Sequence, residues 1–287
     1  MLAKFKMYYR LTKPGIIYGN LLTTTGGFLY GSILHIRADI LLGIIAGTWL
    51  IIASGCVINN VFDRDIDTRM SRTKRRATAT GQVSVRNALL LAGVLAIVGT
   101  ITLLLLTNQL TTVLGLVGLV SYAGVYTYAK RHTVHATLIG TLPGAIPPVA
   151  GYTAATNSLD SSALLLFLIL VSWQMAHFYS IALFRLKDYK AAKIPVMPAV
   201  YGEAITRLQI LFYAGLFLLS IVGLAKFGYA GLLYLAVMIP LALWWLAIIF
   251  TGVWNNGGQA WARKIFFLSL IMLPALSIVL SLNAWVP

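Results

Sequence analysis

The sequence predicts an all-α protein that crosses a membrane many times. Of its 287 residues, 59% are hydrophobic and only 10% are charged, whereas about 25% of the residues of a soluble domain are charged. The mean hydropathy is +0.86, and apolar stretches recur along the whole chain. Each stretch approaches the roughly 20 residues that a helix needs to span a bilayer. Long alternating strands are absent from the sequence and irregular backbone cannot face lipid, so a helical bundle is the expected class.

Nine apolar stretches define the predicted transmembrane helices. They cover residues 15–34, 40–62, 87–107, 110–129, 136–156, 162–184, 208–225, 229–250 and 265–285. Polar helix ends near residues 59–76 and 177–193 lie about 120 residues apart, a spacing typical of an internal repeat. We therefore expect two four-helix halves plus a ninth helix, all within a single transmembrane domain over residues 1–287.

The basic residues are distributed unevenly between the two sides. With the N-terminus inside, the cytoplasmic segments hold 20 of the 22 lysines and arginines, and only Arg37 and Lys226 lie outside. Because short cytoplasmic loops collect Lys and Arg, we expect a cytoplasmic N-terminus and, after nine spans, an external C-terminus in the cytoplasmic membrane. Topology and contact with anionic lipids account for the net charge of +15. Nucleic acid is not an expected partner, since no binding motif for it appears.

The second predicted helix ends in a segment that turns acidic and then basic, SGCVINNVFDRDIDTRMSRTKRR at residues 54–76. Asn59, Asp63 and Asp67 are spaced i, i+4 and i+8, which places them on one helix face. Their oxygens suit Mg²⁺, which proteins usually hold with one or two carboxylates plus substrate phosphates. Side chains that suit phosphate oxygens follow at once: Arg69, Arg72, Lys74, Arg75 and Arg76. The segment predicts a diphosphate site bridged by a metal.

A second polar stretch, SWQMAHFYSIALFRLKDYKAAKIP, ends the sixth predicted helix. Of the four histidines, only His177 lies within a span near the expected cavity. A polar group at that depth needs a partner, so His177 either makes an interhelical hydrogen bond or contacts a ligand. Lys130 and Arg131, at the end of the fourth helix, are either cytoplasmic anchors or anion-binding residues. The fifth helix contains Pro143, Pro147 and Pro148, and we expect it to be broken.

These observations define the candidate site residues. The catalytic candidates are Asn59, Asp63, Asp67 and Asp188, and the first three of these are also the expected metal ligands. The candidates for contacts with a diphosphate are Arg72, Arg75, Lys130, Arg131, Arg185 and Lys187.

The run N59-x-x-x-D63-x-x-x-D67 resembles the first signature of the UbiA superfamily of intramembrane prenyltransferases. Three further segments resemble sequences of the haem-modifying branch of that superfamily: TKPGIIYGN at 12–20, KRHTVHATLIGTLPGAIPPVAGY at 130–152 and SWQMAHFYSIALFRLKDYKAAKIPV at 172–196. The likeness extends over nearly the whole chain. It implies that Mg²⁺ helps the diphosphate of farnesyl diphosphate to leave, that a vinyl group of haem b attacks the allylic cation, and that water completes the addition. It also implies a functional link to the assembly of terminal oxidases.

The chain departs from many superfamily members at the end of the sixth helix. A second aspartate-rich motif is common there, but here Ala192 stands four residues after Asp188. The resemblance assigns this reduced form to the haem branch, so a second Mg²⁺ held by two carboxylates of this helix is not expected.

Two alternative functions remain open at this point. One is a prenyltransferase that acts on an aromatic quinone precursor, and the other is a membrane transporter. A transport path needs polar groups at both ends, whereas the polar residues of this chain cluster at cytoplasmic helix ends. His177 distinguishes haem from an aromatic quinone precursor as the prenyl acceptor. Imidazole can ligate the iron of haem, whereas a small aromatic acid offers only a carboxylate. We therefore expect His177 to contact haem.

Overall fold

The computed structural model describes residues 2–33 and 35–283. Within these residues every regular element is helical. The helices are α1 Leu2–Leu11, α2 Pro14–Gly31, α3 Ala38–Phe62, α4 Arg64–Asp67, α5 Val85–Leu106, α6 Gln109–Val120, α7 Thr127–His132, α8 Ala136–Thr156, α9 Ser161–Phe184, α10 Leu186–Ala191, α11 Met197–Val200, α12 Gly202–Lys226, α13 Leu232–Trp254 and α14 Gln259–Leu282. A π-helical turn at Ser121–Tyr126 joins α6 to α7 in one continuous rod.

Seven of the described helices are long and apolar enough to cross a membrane. They are Ala38–Phe62, Val85–Leu106, Gln109–His132, Ser161–Phe184, Gly202–Lys226, Leu232–Trp254 and Gln259–Leu282. The expectation of an all-helical multi-pass membrane protein is confirmed at this level. The other two predicted spans coincide with α2 and α8, in which glycine, threonine and proline interrupt the apolar residues. The C-terminal residues 284–287, predicted to lie outside the cell membrane, are outside the described residues.

Helices α2 and α8 cross with their backbones in close contact. A Cβ atom added to Gly151 would lie 2.0 Å from the carbonyl oxygen of Thr24, and one added to Gly27 would lie 2.0 Å from that of Pro148. Small residues allow membrane helices to approach this closely. The two predicted spans that are not among the seven apolar helices therefore pack against each other.

The expectation that the fifth predicted helix is broken is wrong. Helix α8 runs without interruption from Ala136 to Thr156, although three prolines lie inside it: Pro143, Pro147 and Pro148. Neighbouring helices can hold a membrane helix together where proline removes a backbone donor. Here α8 packs on α2, α6 and α9, and Pro147 and Pro148 are buried.

The neighbours of the helices repeat between the two four-helix groups. Helix α3 packs extensively on α5 in the first group, and α9 packs extensively on α12 in the second. The last helix, α14, packs on α2, α9 and α13 and so joins the groups. This is the arrangement expected of two halves plus one helix, and the internal duplication stays a prediction.

Candidate active site

A cavity of about 720 Å³ opens among the described helices. This volume lies within the range of about 300–1,000 Å³ that is usual for ligand pockets. Its apolar body lies between α3, α6, α8 and α9, and its polar end lies where α3, α7 and α9 finish. The charged and amide side chains at the polar end are Lys13, Asn59, Asp63, Asp67, Arg72, Arg76, Lys130, Arg185 and Asp188.

The three predicted metal ligands all line this cavity. Helix α3 ends at Phe62, but the helical hydrogen bonds continue, with the Asp63 N–H bonded to the Asn59 carbonyl at 2.9 Å and the Asp67 N–H to the Asp63 carbonyl at 2.8 Å. The side chains therefore keep their helical register across the start of α4. Asn59, Asp63 and Asp67 are only 3%, 5% and 3% exposed, so both carboxylates are withdrawn from bulk water.

Each of these three side chains has a cation beside it. Lys130 Nζ donates to Asp63 Oδ2, and Lys13 Nζ donates to Asn59 Oδ1. Arg76 Nη1 lies 2.9 and 2.8 Å from the two carboxylate oxygens of Asp67. Buried carboxylates need such partners, since an uncompensated charge away from water is strongly destabilising. The cluster therefore combines oxygen ligands with donors for an anion.

The donor set fits a divalent cation. Asp63 Oδ1 is buried and has no hydrogen-bond partner among the described residues, and the guanidinium of Arg131 is 4.0 Å from it, so this oxygen could still take a metal ion. Groups of three or more His, Cys, Asp or Glu side chains suited to a metal do not occur within residues 2–33 and 35–283. A site of two carboxylates and one amide suits Mg²⁺, which usually completes its coordination with water and substrate phosphates.

The π-helical turn supports the amide of this set. The Thr127 hydroxyl donates to the carbonyl of Tyr122, five residues earlier, at 2.9 Å, and Asn59 Nδ2 lies 3.1 Å from the same hydroxyl oxygen. The Asn59 amide therefore has partners on both of its polar atoms, which fixes the side chain. Tyr122 and Tyr126 also line the cavity from this turn. Such π-turns inside α-helices are frequent at functional sites.

The second polar helix end reaches the same cavity mouth. Helix α9 ends at Phe184 and α10 begins at Leu186, so the polar stretch bends between them. Asp188 accepts a hydrogen bond of 2.9 Å from Ser71, which belongs to the basic loop after α4. Arg185 Nη1 lies 3.9 Å from an Asp188 oxygen. Two segments far apart in sequence are thus joined at one site.

The structure separates the predicted diphosphate contacts into two groups. Arg72, Lys130 and Arg185 line the cavity. Arg75 and Lys187 are exposed and lie outside the lining. Arg131 also lies outside it and pairs with Asp65 at 2.6 Å. The hydrogen bonds from Arg131 lower the pKa of the Asp65 carboxyl to about 2.

Two cations of the site are absent from the candidates for diphosphate contacts, although Arg76 belongs to the basic run that follows Asp67. Arg76 lines the cavity where Arg75 was expected, because the turn through residues 73–76 directs it toward Asp67. Lys13 stands between α1 and α2, and its burial lowers the pKa of its ammonium group to about 8. The only sequence signal for Lys13 is its place in the phrase TKPGIIYGN.

His177 lines the cavity at some distance along α9 from the charged cluster. Its Nδ1 lies 2.6 Å from Ser269 Oγ on α14, so the predicted interhelical hydrogen bond exists. The ring stacks on Trp173 with centroids 4.7 Å apart and lies against Phe266 at 5.0 Å. His177 therefore contacts a neighbouring helix and also lines the cavity.

A helical membrane protein with buried carboxylates and cations at the mouth of an apolar cavity has the parts needed to transfer a prenyl group from its diphosphate. Residues 20–271 match the UbiA prenyltransferase family. The chain belongs to this family, which confirms the resemblance seen in the sequence.

The chain is similar to curated relatives over nearly its whole length. It is 44% identical to protoheme IX farnesyltransferase 2 of Pseudomonas paraeruginosa, with 98% of this chain and 95% of that protein covered. It is 45% identical to protoheme IX farnesyltransferase of Klebsiella pneumoniae, with 99% of this chain and 96% of that protein covered.

Solved structures share the fold. A structure of digeranylgeranylglyceryl phosphate synthase matches with a TM-score of 0.82 at 18% identity, covering 98% of this chain and 99% of that chain. A UbiA homolog from Archaeoglobus fulgidus, described as bound to GPP and Mg²⁺, matches with a TM-score of 0.72 at 16% identity, covering 96% and 99%.

Proposed function

We propose that this prenyltransferase transfers the farnesyl group of farnesyl diphosphate to a vinyl group of haem b, with addition of water, to give haem O. The observation that carries the proposal is the continuity of one cavity, which joins a cluster of carboxylates and cations to an apolar body. Such a cavity receives a diphosphate and a long hydrocarbon chain together. The choice of haem b as acceptor is supported by the relatives named protoheme IX farnesyltransferase at 44% and 45% identity.

The polar end of the cavity is the proposed diphosphate site. Asn59, Asp63 and Asp67 would hold Mg²⁺, whose charge would neutralise the diphosphate and help it to leave. Lys130 and Arg76 already lie beside these carboxylates, so both are within reach of an anion bound at the metal. Arg72, Arg185 and Lys13 line the same end. The cations outnumber the carboxylates there, which favours the negative charge that develops on the departing diphosphate.

The apolar body of the cavity is the proposed farnesyl site. Helix α3 lines it from Asn59 to Thr48, a distance of about 16 Å at 1.5 Å per residue. Ile51 and Ile52 of α3 and Gly118 of α6 lie along this path. An apolar wall keeps water from the allylic cation until the acceptor has reacted.

The acceptor site is proposed to lie between α9 and α14. His177 of α9 offers an imidazole to the haem iron. Arg263 of α14 lines the cavity and offers a guanidinium to a haem propionate. Both residues share the cavity with the metal ligands, so donor and acceptor can meet in one space.

The membrane arrangement completes the proposal. All nine long helices, including α2 and α8, would cross the cytoplasmic membrane with the N-terminus inside, as the distribution of basic residues indicates. The diphosphate site would then face the cytoplasm, where farnesyl diphosphate is a soluble anion. The product, a farnesylated haem, would supply terminal oxidases.

Analysis of haem extracted from cells that express the protein tests this function. We expect mass spectrometry to find a haem heavier than haem b by one farnesyl group and one hydroxyl group. Cells that express the Asp63→Asn variant at the same level serve as the control and should contain haem b alone. Unmodified haem in the cells with the wild-type protein would contradict the proposal.

A further inference from the structure

Ser269 forms two connections between α14 and α9. Its hydroxyl oxygen lies 2.6 Å from His177 Nδ1, and its backbone carbonyl accepts a hydrogen bond of 2.9 Å from Trp173 Nε1. Ser269 and His177 are 0% and 7% exposed. The ring of Trp173 stacks on the imidazole at an interplanar angle of 20°, and the ring of Phe266 lies against it at 39°. The hydrogen bond and these two rings restrict the position of the imidazole.

The hydrogen bonds of Ser269 determine which nitrogen of His177 carries the proton. A serine hydroxyl has one hydrogen, and here it is donated to the carbonyl of Phe266 at 2.6 Å. The contact of 2.6 Å with His177 Nδ1 then needs its hydrogen from the ring. His177 is consequently the Nδ1–H tautomer, and the lone pair of the neutral ring is on Nε2.

The lone pair of Nε2 is available to a ligand. Nε2 makes no hydrogen bond with the part of the chain that the structure describes, although His177 lines the cavity. A metal-ligating histidine almost always donates its other ring N–H to a neighbouring acceptor, which fixes the tautomer and strengthens the ligand. His177 has this arrangement before any ligand is bound.

We propose that Ser269 is a positioning residue for the haem substrate. Ser269 holds His177 in the tautomer whose Nε2 can ligate the haem iron. This inference rests on the proposed function. The imidazole of His177 would use Nδ1 for the interhelical hydrogen bond and Nε2 for the contact with haem. The bond that joins α9 to α14 is also the bond that prepares the imidazole for iron.

The tautomer can be measured without haem. Nitrogen-15 NMR of histidine-labelled protein, with the His177→Gln variant used to assign the signal, should show a protonated Nδ1 and an unprotonated Nε2 at His177. A protonated Nε2 in the wild-type protein would overturn the inference. This result does not depend on the reaction that the enzyme catalyses.

Titration with haem b, followed by absorbance, tests the consequence. The Ser269→Ala variant keeps the backbone bond to Trp173 and should bind haem b about 10–100-fold more weakly, with a shifted Soret band. Ser269→Thr retains the acceptor oxygen and should restore the spectrum. The matched control is Ser277→Ala, which removes another buried serine hydroxyl of α14 and should behave as the wild type.

The role of Ser269 and the proposed function can be contradicted by different results. If the wild-type protein makes farnesylated haem but Ser269→Ala has the wild-type haem affinity and spectrum, the role of Ser269 is wrong and the proposed function stands. If the wild-type protein binds farnesyl diphosphate but neither binds nor modifies haem, the proposed function is wrong and iron ligation by His177 is wrong with it. Farnesyl diphosphate binding should be equal in all four proteins.

Discussion

Asp63 and Asp67 are the two buried carboxylates of the proposed diphosphate site. Each carboxylate is almost completely buried and each is paired with a cation, Lys130 or Arg76. One Asp63 oxygen remains without a hydrogen bond among the described residues. A divalent cation would satisfy that oxygen, and the neighbouring cations would then be placed to bind the diphosphate.

Replacement of either carboxylate should therefore remove catalysis, and it should also lower stability because Lys130 or Arg76 loses its partner. We expect Asp63→Asn and Asp67→Asn to lower kcat on the order of 10²–10³-fold, because the metal that stabilises the leaving group is lost. The measurement is turnover of farnesyl diphosphate by purified protein at saturating Mg²⁺. Asp65→Asn is the matched control, since Asp65 lies between them, pairs with Arg131 and is outside the cavity lining. Wild-type turnover in either carboxylate variant would assign Asp63 and Asp67 a purely structural role.

The sequence predicted the residues of the site better than their partners. Spacing along one helix brings Asn59, Asp63 and Asp67 together, because that relation is local. Arg76 and Lys13 could not be distinguished from the other basic residues, since their place at the cavity depends on the turn after Asp67 and on the approach of α2 to α3. Tertiary contacts decide which members of a basic cluster face a ligand.

At the scale of elements, the glycines where α2 meets α8 set the distance between two of the helices that line the cavity. We expect Gly151→Ala to destabilise the protein by about 1–3 kcal/mol or more, because its Cβ would lie 2.0 Å from the Thr24 carbonyl oxygen and a packed backbone cannot give way cheaply. Thermal unfolding in detergent measures this. Gly93→Ala on α5 is the control, since its Cβ would meet no atom within 4 Å. Equal unfolding temperatures for the two variants would contradict the crossing.

Helix α6 offers a test of where the prenyl chain lies. Gly118 lines the apolar body, and a Cβ there would have Ile146 at 3.5 Å, so a larger side chain would extend into the cavity. We expect Gly118→Leu to lower kcat/KM for farnesyl diphosphate roughly 10-fold or more relative to geranyl diphosphate, because the longer chain loses its space. The two donors are compared on the same variant, so a general loss of activity cancels. An equal loss with both donors would place the chain elsewhere.

The elements themselves were predictable to different degrees. The apolar stretches located the nine long helices found within residues 2–33 and 35–283, seven of which are apolar enough to be recognised as spans by length and composition. The continuity of α8 was not predictable from its prolines, because burial against α2, α6 and α9 decides whether a proline breaks a membrane helix. The π-helical turn at Ser121–Tyr126 was also not predictable from apolar length, and the Thr127 hydroxyl donates to the Tyr122 carbonyl across it.

At the scale of the whole molecule, the cations that line the cavity gather at its polar end. Lys13, the turn after Asp67, the end of α7 and the bend before α10 all meet at the cavity mouth. In the proposed topology this mouth would face the cytoplasm, and the same cations would then orient the chain and attract a diphosphate.

Fusions to alkaline phosphatase test the orientation of that mouth. Alkaline phosphatase becomes active only outside the cytoplasm, so the fusions after Arg76 and after Lys193 should have no phosphatase activity. A fusion after Pro287 should be active if nine helices cross the membrane. A β-galactosidase fusion at each position supplies the opposite signal. Phosphatase activity after Arg76 would reverse the topology and place the diphosphate site outside.

The most direct test of farnesyl transfer to haem b is a competition between two acceptors. Purified protein in liposomes would receive farnesyl diphosphate, Mg²⁺, haem b and 4-hydroxybenzoate together, and mass spectrometry would identify every farnesylated product. We expect haem O as the only product, and none after the metal is removed with EDTA, because the cavity combines a diphosphate site that needs the metal with an imidazole suited to iron. Farnesylated 4-hydroxybenzoate with unmodified haem would contradict the proposal that haem b is the acceptor.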